Sequence, residues 1–439
     1  MSFYLKPYFI RLFLKFVVEK AMSTGGKEEG NVTVESIPDM EKVDEAYVEV
    51  EAETVENKEP QNVEVIVENI EVTEVTVETP KPKRQILPKH ALICVGEYPI
   101  KILVKGQFPS QKDDVQPVFI DKSSEEIVKW SNDVLNEDAV SGLDANVETH
   151  FWYQILPYLT QNEGFVTQLR NKLMDNQHGA LILASSWDGV GSAMLPTLIS
   201  RLKEWNVNSV ALTLLPSKLQ PSDAHFNALS SMGICFSKEP ATLILVGRDQ
   251  LNKYVGVERN GSVMKGNRVL NCLVEMMLTK KTFVRELSEM SRSFGVRTFA
   301  ILAATGASFK IYGSLENILD TTLFRPLLSF DLSGASLLYV LSRIPRQMKE
   351  KLSRDKIELA IASWFREKAV LKSIYVTEPL YVEDLNDKVD IVLLVGGSDL
   401  KEMFTSMEKK VGAVKTEAVK QGSIKKEDWE GILKSLAIS

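Results

Sequence analysis

The chain has 439 residues, 44% of them hydrophobic and 25% charged, and a formal net charge of -7. These values describe a globular chain of two or three domains and exclude a collagen, a disulfide miniprotein and a polytopic membrane protein. The charge is unevenly divided: residues 1–27 carry +4, residues 28–80 carry -15, and residues 81–439 carry +4. The acidic stretch would repel phosphate, which argues against nucleic acid as a partner.

The first twenty residues, MSFYLKPYFIRLFLKFVVEK, interleave apolar and aromatic side chains with Lys6, Arg11, Lys15 and Lys20. Their apolar runs are too short to span a bilayer. As a helix from Pro7 onward, Ile10, Leu12, Phe13, Phe16 and Val17 gather mainly to one side. Residues 1–22 are therefore expected to be an amphipathic helix, either lying on a membrane surface through residues 5–20 or docking on a protein. Arg11 and Lys15 break the apolar core that a signal peptide needs, and no A-x-A site follows. Residues 23–85 are read as an acidic disordered linker, with Val and Glu alternating from Val63 to Val77.

The ordered body is expected from Ile86. ALICVG (91–96), IKILV (100–104) and VQPVFI (115–120) read as early strands, and 123–136 as a helix with Ser123 and Glu126 in capping-box spacing. ALILAS (180–185), SVALTLLP (209–216) and ATLILVG (241–247) are further apolar strands, each followed by a helical run. Apolar strands alternating with helices predict an α/β fold with a parallel, doubly covered sheet. A long central helix is expected from Gly266 towards Leu278. Beyond it, VRTFAILAATG, GASLLYVLS, LKSIYVTEPL and DIVLLVGG read as strands, with a helix at 354–366 between them. The tail has Trp429, Ile432, Leu433 and Leu436 at helical spacing, and residues 423–437 are expected to dock a protein partner in a groove.

This order of elements resembles the tubulin/FtsZ superfamily over roughly residues 87–400. The runs ALILASSWDGVGSAMLP, SVALTLLPSKLQPSDAHFNAL, ATLILVGRD and the helix after Gly266 carry the resemblance, together with DLSGASLLYVLSRIP and DIVLLVGG. It implies a Rossmann-like N-terminal domain (86–262), a central helix and following loop (263–288), a smaller C-terminal α/β domain (289–410) and a tail (411–439). It also implies GTP or GDP as cofactor and self-association head to tail.

In the family, a GGGTG[ST]G loop cradles phosphate. Here the matching run is Ser185-Ser186-Trp187-Asp188-Gly189-Val190-Gly191, with Ser192 opening the next helix. Such a loop needs glycines so that backbone N–H groups converge, and only Gly189 and Gly191 remain. Asp188 would bring a carboxylate to the phosphates. Gly189 to Ser192 thus reads first as a tight strand-to-helix turn, with a phosphate loop as the alternative. The first glycine-rich loop keeps Gly96 alone, and Pro99 lacks an amide donor. Gln220 stands where the family has a ribose-binding glutamate, and Ala224 where it has arginine. Asn267 matches the base-contacting residue, although an isolated Asn at a helix start is more often a cap. Where the family presents a catalytic acid pair, this chain has Thr282 and Arg285, and neither supplies the carboxylate base that orients water. Glu286 or Glu289 would have to substitute, and both read as parts of a charged helix face.

The four histidines show no metal-ligand spacing and are expected at the surface. The cysteines, Cys94, Cys235 and Cys272, form no CxxC, fit a reducing compartment and read as buried small hydrophobes. No metal or catalytic residue is assigned. The combined expectation is a membrane-associated, FtsZ-like scaffold with weak or absent GTP hydrolysis. It would lie on the inner face of the cell membrane and serve cell division or membrane shaping. An active GTPase and a monomeric module that binds a true family member are the alternatives.

Overall fold

A computed structural model describes residues 89–106, 114–131, 135, 137–144, 146–173, 178–237, 241–384 and 386–437. The expected N-terminal helix (1–22) and acidic linker (23–85) lie outside the described residues.

In chain order, β1 (His90–Val95) leads into α1 (Glu97–Lys105), and β2 (Val115–Asp121) into α2 (Ser124–Ser131). The short β3 (Val140–Gly142) precedes α3 (Trp152–Gln161) and α4 (Glu163–Leu173). Three strand–helix units follow: β4 (Ala180–Ser185) with α5 (Gly189–Glu204), β5 (Ser209–Leu215) with α6 (Ser222–Ser237), and β6 (Thr242–Gly247) with α7 (Arg248–Lys253). A hairpin of β7 (Val255–Val257) and β8 (Val263–Lys265) opens into α8 (Gly266–Thr279) and α9 (Phe283–Phe294). Then come β9 (Thr298–Ser308), α10 (Phe309–Tyr312), α11 (Leu315–Leu323), β10 (Leu337–Pro345) and α12 (Arg354–Phe365). The chain continues through β11 (Ser373–Val376), β12 (Leu380–Val382) and β13 (Lys388–Gly396), and closes with α13 (Lys401–Glu408), α14 (Gly412–Lys420) and α15 (Lys426–Ser435).

Eleven strands form one sheet, ordered β11-β10-β13-β9-β6-β5-β4-β1-β2-β3, with β12 paired to β10. Pairing from β3 to β9 is parallel, whereas β13 runs antiparallel to both β9 and β10. The period of two sorts the apolar residues between two layers. Ala91, Ile93 and Val95 of β1 face the side of α5, while Leu92 and Cys94 face α1 and α8. A strand buried on both faces reads as a continuous apolar run, which is why these strands stand out in the sequence.

At β6–β9 the ladder holds only three register pairs, Leu243 with Thr298, Ile244 with Phe299 and Leu245 with Ala300. Beyond them Leu327 enters between the strands: its N–H donates to Ile301 O (3.0 Å), and its carbonyl accepts from Gly247 N–H (2.7 Å). Fully buried, Leu327 continues the hydrogen bonding where the two strands part.

Three expectations change. IKILV is helix, not strand. Gly96 at φ 91° ends β1, and Pro99 falls in the first helical turn, where a missing N–H costs nothing. Ile100, Ile102 and Leu103 then bury one helix face. The tail helix α15 does not present its apolar stripe to a partner, because Trp429 and Ile432 are buried against this chain's own α6. The histidines are not all at the surface: His90 and His225 are buried at 0% and 2% exposure. The three cysteines are buried, as expected.

Candidate functional site

The strand order reverses between β1 and β4. The helices that follow these strands lie on opposite faces of the sheet, so the loops after them diverge and leave a crevice at the carboxyl ends. Gly96, Ser185, Asp188, Gly189, Gly191 and Ser192 meet there.

Asp188 takes the N-cap position of α5. Gly191 N–H donates to its Oδ1 at 2.6 Å, and the Ser185 hydroxyl donates to its Oδ2. Its backbone carbonyl accepts from Ser192 N–H (3.0 Å) and from the Ser192 hydroxyl (2.6 Å). A free helix N-terminus is a ready-made anion site, and here a side-chain carboxylate already fills it. The glycines allow this close fit. A Cβ at Gly96 would overlap Ser185 Oγ and crowd Asp188, one at Gly189 would overlap the Thr149 carbonyl, and one at Gly191 would overlap the Ser185 carbonyl. Gly189 and Gly191 bring backbone onto backbone, and Gly96 brings backbone onto the Ser185 and Asp188 side chains.

The same substitution recurs at two other loops. Asp144, itself in the left-handed region at φ 46°, accepts from Ser124 N–H (2.8 Å) and the Ser124 hydroxyl (2.6 Å) at the start of α2. Asp249 accepts from Lys218 N–H (2.8 Å) and the Ser217 hydroxyl (2.5 Å) in the loop after β5. Gln220 closes that loop on itself, its Oε1 accepting from Ser217 N–H at 2.7 Å. Beside the β4–α5 turn, a cavity of about 450 Å³ is lined by Lys122, Ser123, Asp144, Val147, Glu148 and Thr149.

Trp187 packs edge-on against Tyr98 of α1, with ring centroids 5.2 Å apart. The Arg248 guanidinium stacks over both rings, 4.7 Å from Tyr98 and 5.0 Å from Trp187. The aromatic pair thus holds an internal cation. Asp121 ends β2 at 6% exposure. Its Oδ1 accepts from Lys122 N–H at 2.7 Å, and its Oδ2 is buried with no partner. Burial, reinforced by the neighbouring Asp188 carboxylate, pushes the Asp121 carboxyl up to about 7. Burial also raises Asp188, to about 6, against the pull of its Ser185 and Gly191 hydrogen bonds.

Asn267 does not join this group. It is exposed in the first turn of α8, and the cap position belongs to Lys265, which makes no side-chain cap bond. That end of α8 meets the far end of α1, where Arg268 donates to Gly106 O at 3.0 Å. Thr282 is the N-cap of α9 and Arg285 is exposed, while Glu286 accepts from the Tyr339 hydroxyl at 2.8 Å. Among the described residues no cluster of three or more His, Cys, Asp or Glu side chains could hold a metal ion.

Of the residues singled out in the sequence, Gly96, Asp188, Gly189, Gly191 and Ser192 lie together here, whereas Asp121, Asp144, Asp249, Arg248 and Tyr98 were not singled out. Asp121 and Arg248-Asp249 did carry a signal, since each sits at the carboxyl end of a parallel strand, where crevice residues belong.

No protein-family model matches the chain, and no curated protein does. Solved structures match it well. CetZ from Methanosaeta thermophila is similar at a TM-score of 0.58 and 15% identity, covering 79% of this chain and 97% of its own. GDP-bound monomeric CetZ1 from Haloferax volcanii gives 0.59 and 15%, covering 74% and 99%. A protofilament of TubZ from Bacillus thuringiensis serovar israelensis gives 0.53 and 14%, covering 77% and 95%. The fold is tubulin/FtsZ-like. In this tubulin/FtsZ-like body the strand-end crevice is occupied by the chain's own groups. A phosphate at the start of α5 would have to displace Asp188 from Gly191. The residues present do not fit a nucleotide without that rearrangement.

Proposed function

We propose that the chain is a tubulin/FtsZ-like scaffold that assembles with copies of itself and is held at the inner face of the cell membrane by residues 5–20. Its crevice would be kept closed by the chain's own side chains, with no nucleotide turnover. The observation that carries this reading is the Asp188 carboxylate on the amide of Gly191. Asp144 and Asp249 play the same part at the two neighbouring loops. A phosphate bound among them would face like charge where an anion site needs open donors. Thr282 and Arg285, in the frame of the family's catalytic acids, leave water without a carboxylate base. Self-association draws on the similar structures, which include protofilaments of TubZ and of CetZ2 from Haloferax volcanii. Cell division or membrane shaping is the process that the resemblance implies.

The test is titration calorimetry of the full chain with millimolar GTP, paired with sedimentation over a range of protein concentrations. The expected result is no binding heat, and sedimentation that rises with protein concentration equally with and without GTP. GTP binding with turnover that rises with protein concentration would mean an active GTPase. Sedimentation independent of concentration would mean a monomeric module that binds a true family member.

A further inference from the structure

Asp121 and Asp188 stand on either side of Gly96, whose N–H donates to the carbonyl of Ile120 next to Asp121 (3.0 Å) and whose backbone lies against Asp188 Oδ2. Asp188 uses both carboxylate oxygens as acceptors, from Gly191 N–H and from the Ser185 hydroxyl, and this arrangement suits the ionised form. Asp121 has one oxygen on Lys122 N–H and the other buried without a partner. A charge on that second oxygen would be neither hydrated nor hydrogen-bonded, and it would stand against the Asp188 charge.

The elements around the pair offer little relief. β1 brings Cys94 and α1 brings Glu97, whose charge adds to the repulsion on both aspartates. Lys101 of α1 is already paired with Glu97. From the start of α2 comes Glu126, paired with Lys122 at 3.4 Å. β4 brings the Ser185 hydroxyl, committed to Asp188.

We propose that a single proton on Asp121 keeps the β4–α5 turn closed, and that its loss opens the turn. With Asp121 neutral, Asp188 can cap α5 as a carboxylate and Gly96 can lie against it. With Asp121 ionised, the two charges relieve each other by moving apart and admitting water. The movable partner is Asp188, half-buried on its loop, because Asp121 is held in the sheet. The turn then gives up its cap on Gly191, and Trp187, one residue before, moves with it. The perturbed carboxyl at about 7 sets the opening near neutral pH. The direction follows from linkage: the closed form binds a proton that the open form releases, so rising pH favours opening. This inference rests on reading the turn as closed by its own carboxylate and not by a ligand.

Hydrogen exchange of the full chain without nucleotide tests it. After correction for intrinsic exchange, protection of the amides at 189–192 should fall at least about tenfold between about pH 6 and about pH 8.5. Asp121→Asn, neutral at every pH, should hold protection steady across the same range. A flat profile in the unaltered chain, or an equal fall in Asp121→Asn, overturns the proposal. Carboxyl-carbon NMR of the unaltered chain decides independently of how the variant folds: titration of Asp121 near neutrality supports the latch, and titration in the ordinary aspartate range overturns it. Repeating the exchange with millimolar GTP separates the two readings. Protection at 189–192 that rises with GTP overturns the self-closed crevice, whereas the pH response stands or falls on the nucleotide-free profile.

Discussion

At the scale of single residues, the imidazoles and the crevice carboxyls pull stability in opposite directions with pH. His90 is fully buried, packs against His178 at a tilt of 31° with ring centroids 4.8 Å apart, and has no partner for either ring nitrogen. Burial, and then repulsion from His178, lowers it from 6.5 to about 4. His225 is lowered to about 4 as well, by burial and then by Lys410. Such a base is protonated in the unfolded chain before it is protonated in the folded one. Its contribution is therefore whole above pH 6.5 and is lost as pH falls towards 4. Asp121 has the reverse sign: its raised carboxyl favours folding at low pH, and that contribution fades as pH rises through about 7. We predict that His90→Phe loses less stability than the unaltered chain when urea midpoints are compared across pH 6.5 to 4. An identical loss in both proteins would show that His90 is not the group responsible.

At the scale of elements, the C-terminal helix is part of the core. Trp429 is 0% exposed and stacks on Phe226 of α6 at 5.3 Å and 8°. Gly233 makes room for Ile432, and the Ser435 hydroxyl donates to the Gly233 carbonyl at 2.8 Å. We predict that Trp429→Ala lowers unfolding free energy in urea by about 3–5 kcal/mol. Trp429→Phe should cost clearly less, since the indole Nε1 has no partner to lose. Equal, small effects would mean that α15 is only loosely attached.

The same helix shows where sequence patterns stop being informative. An amphipathic stripe says that one face will be covered, not by what; covering it with α6 depends on residues about 200 positions earlier, such as Gly233. The parallel strands were legible because burial on both faces leaves long apolar runs, as in ALICV and ATLILV. IKILV is nearly as apolar but became part of α1, because the positive φ at Gly96 and Pro99 in the first helical turn set the backbone, not the apolar content. In the crevice, the lost glycines at 185–187 were plain in the chain itself. The carboxylates in their place were not, since Asp121, Asp144, Asp188 and Asp249 meet the loops only through the sheet order and the turns that follow it.

At the scale of the whole molecule, the net charge of -7 divides into a basic N-terminal segment, an acidic stretch and a nearly neutral remainder. If residues 5–20 bind lipid weakly, copies that associate as proposed would bind strongly, because each further contact is made at high local concentration. We predict that full-length protein floats with anionic liposomes and that protein lacking residues 1–22 stays at the bottom of the gradient. Equal flotation of the two would remove the membrane anchor from the reading. Among the described residues no helix is long and apolar enough to cross a membrane.

The seam at β6 and β9 gives the sheet a mechanical weak point. Internal neighbours elsewhere in the sheet share five or more register pairs, but this junction has three, prolonged by the single residue Leu327. Hydrogen bonds in a ladder share a shearing load according to their number, so the shortest internal ladder yields first. A pull transmitted from β9, β13 and β10 towards β6, β5 and β4 is concentrated there, and Leu327 is the rivet that must fail before the sheet can tear.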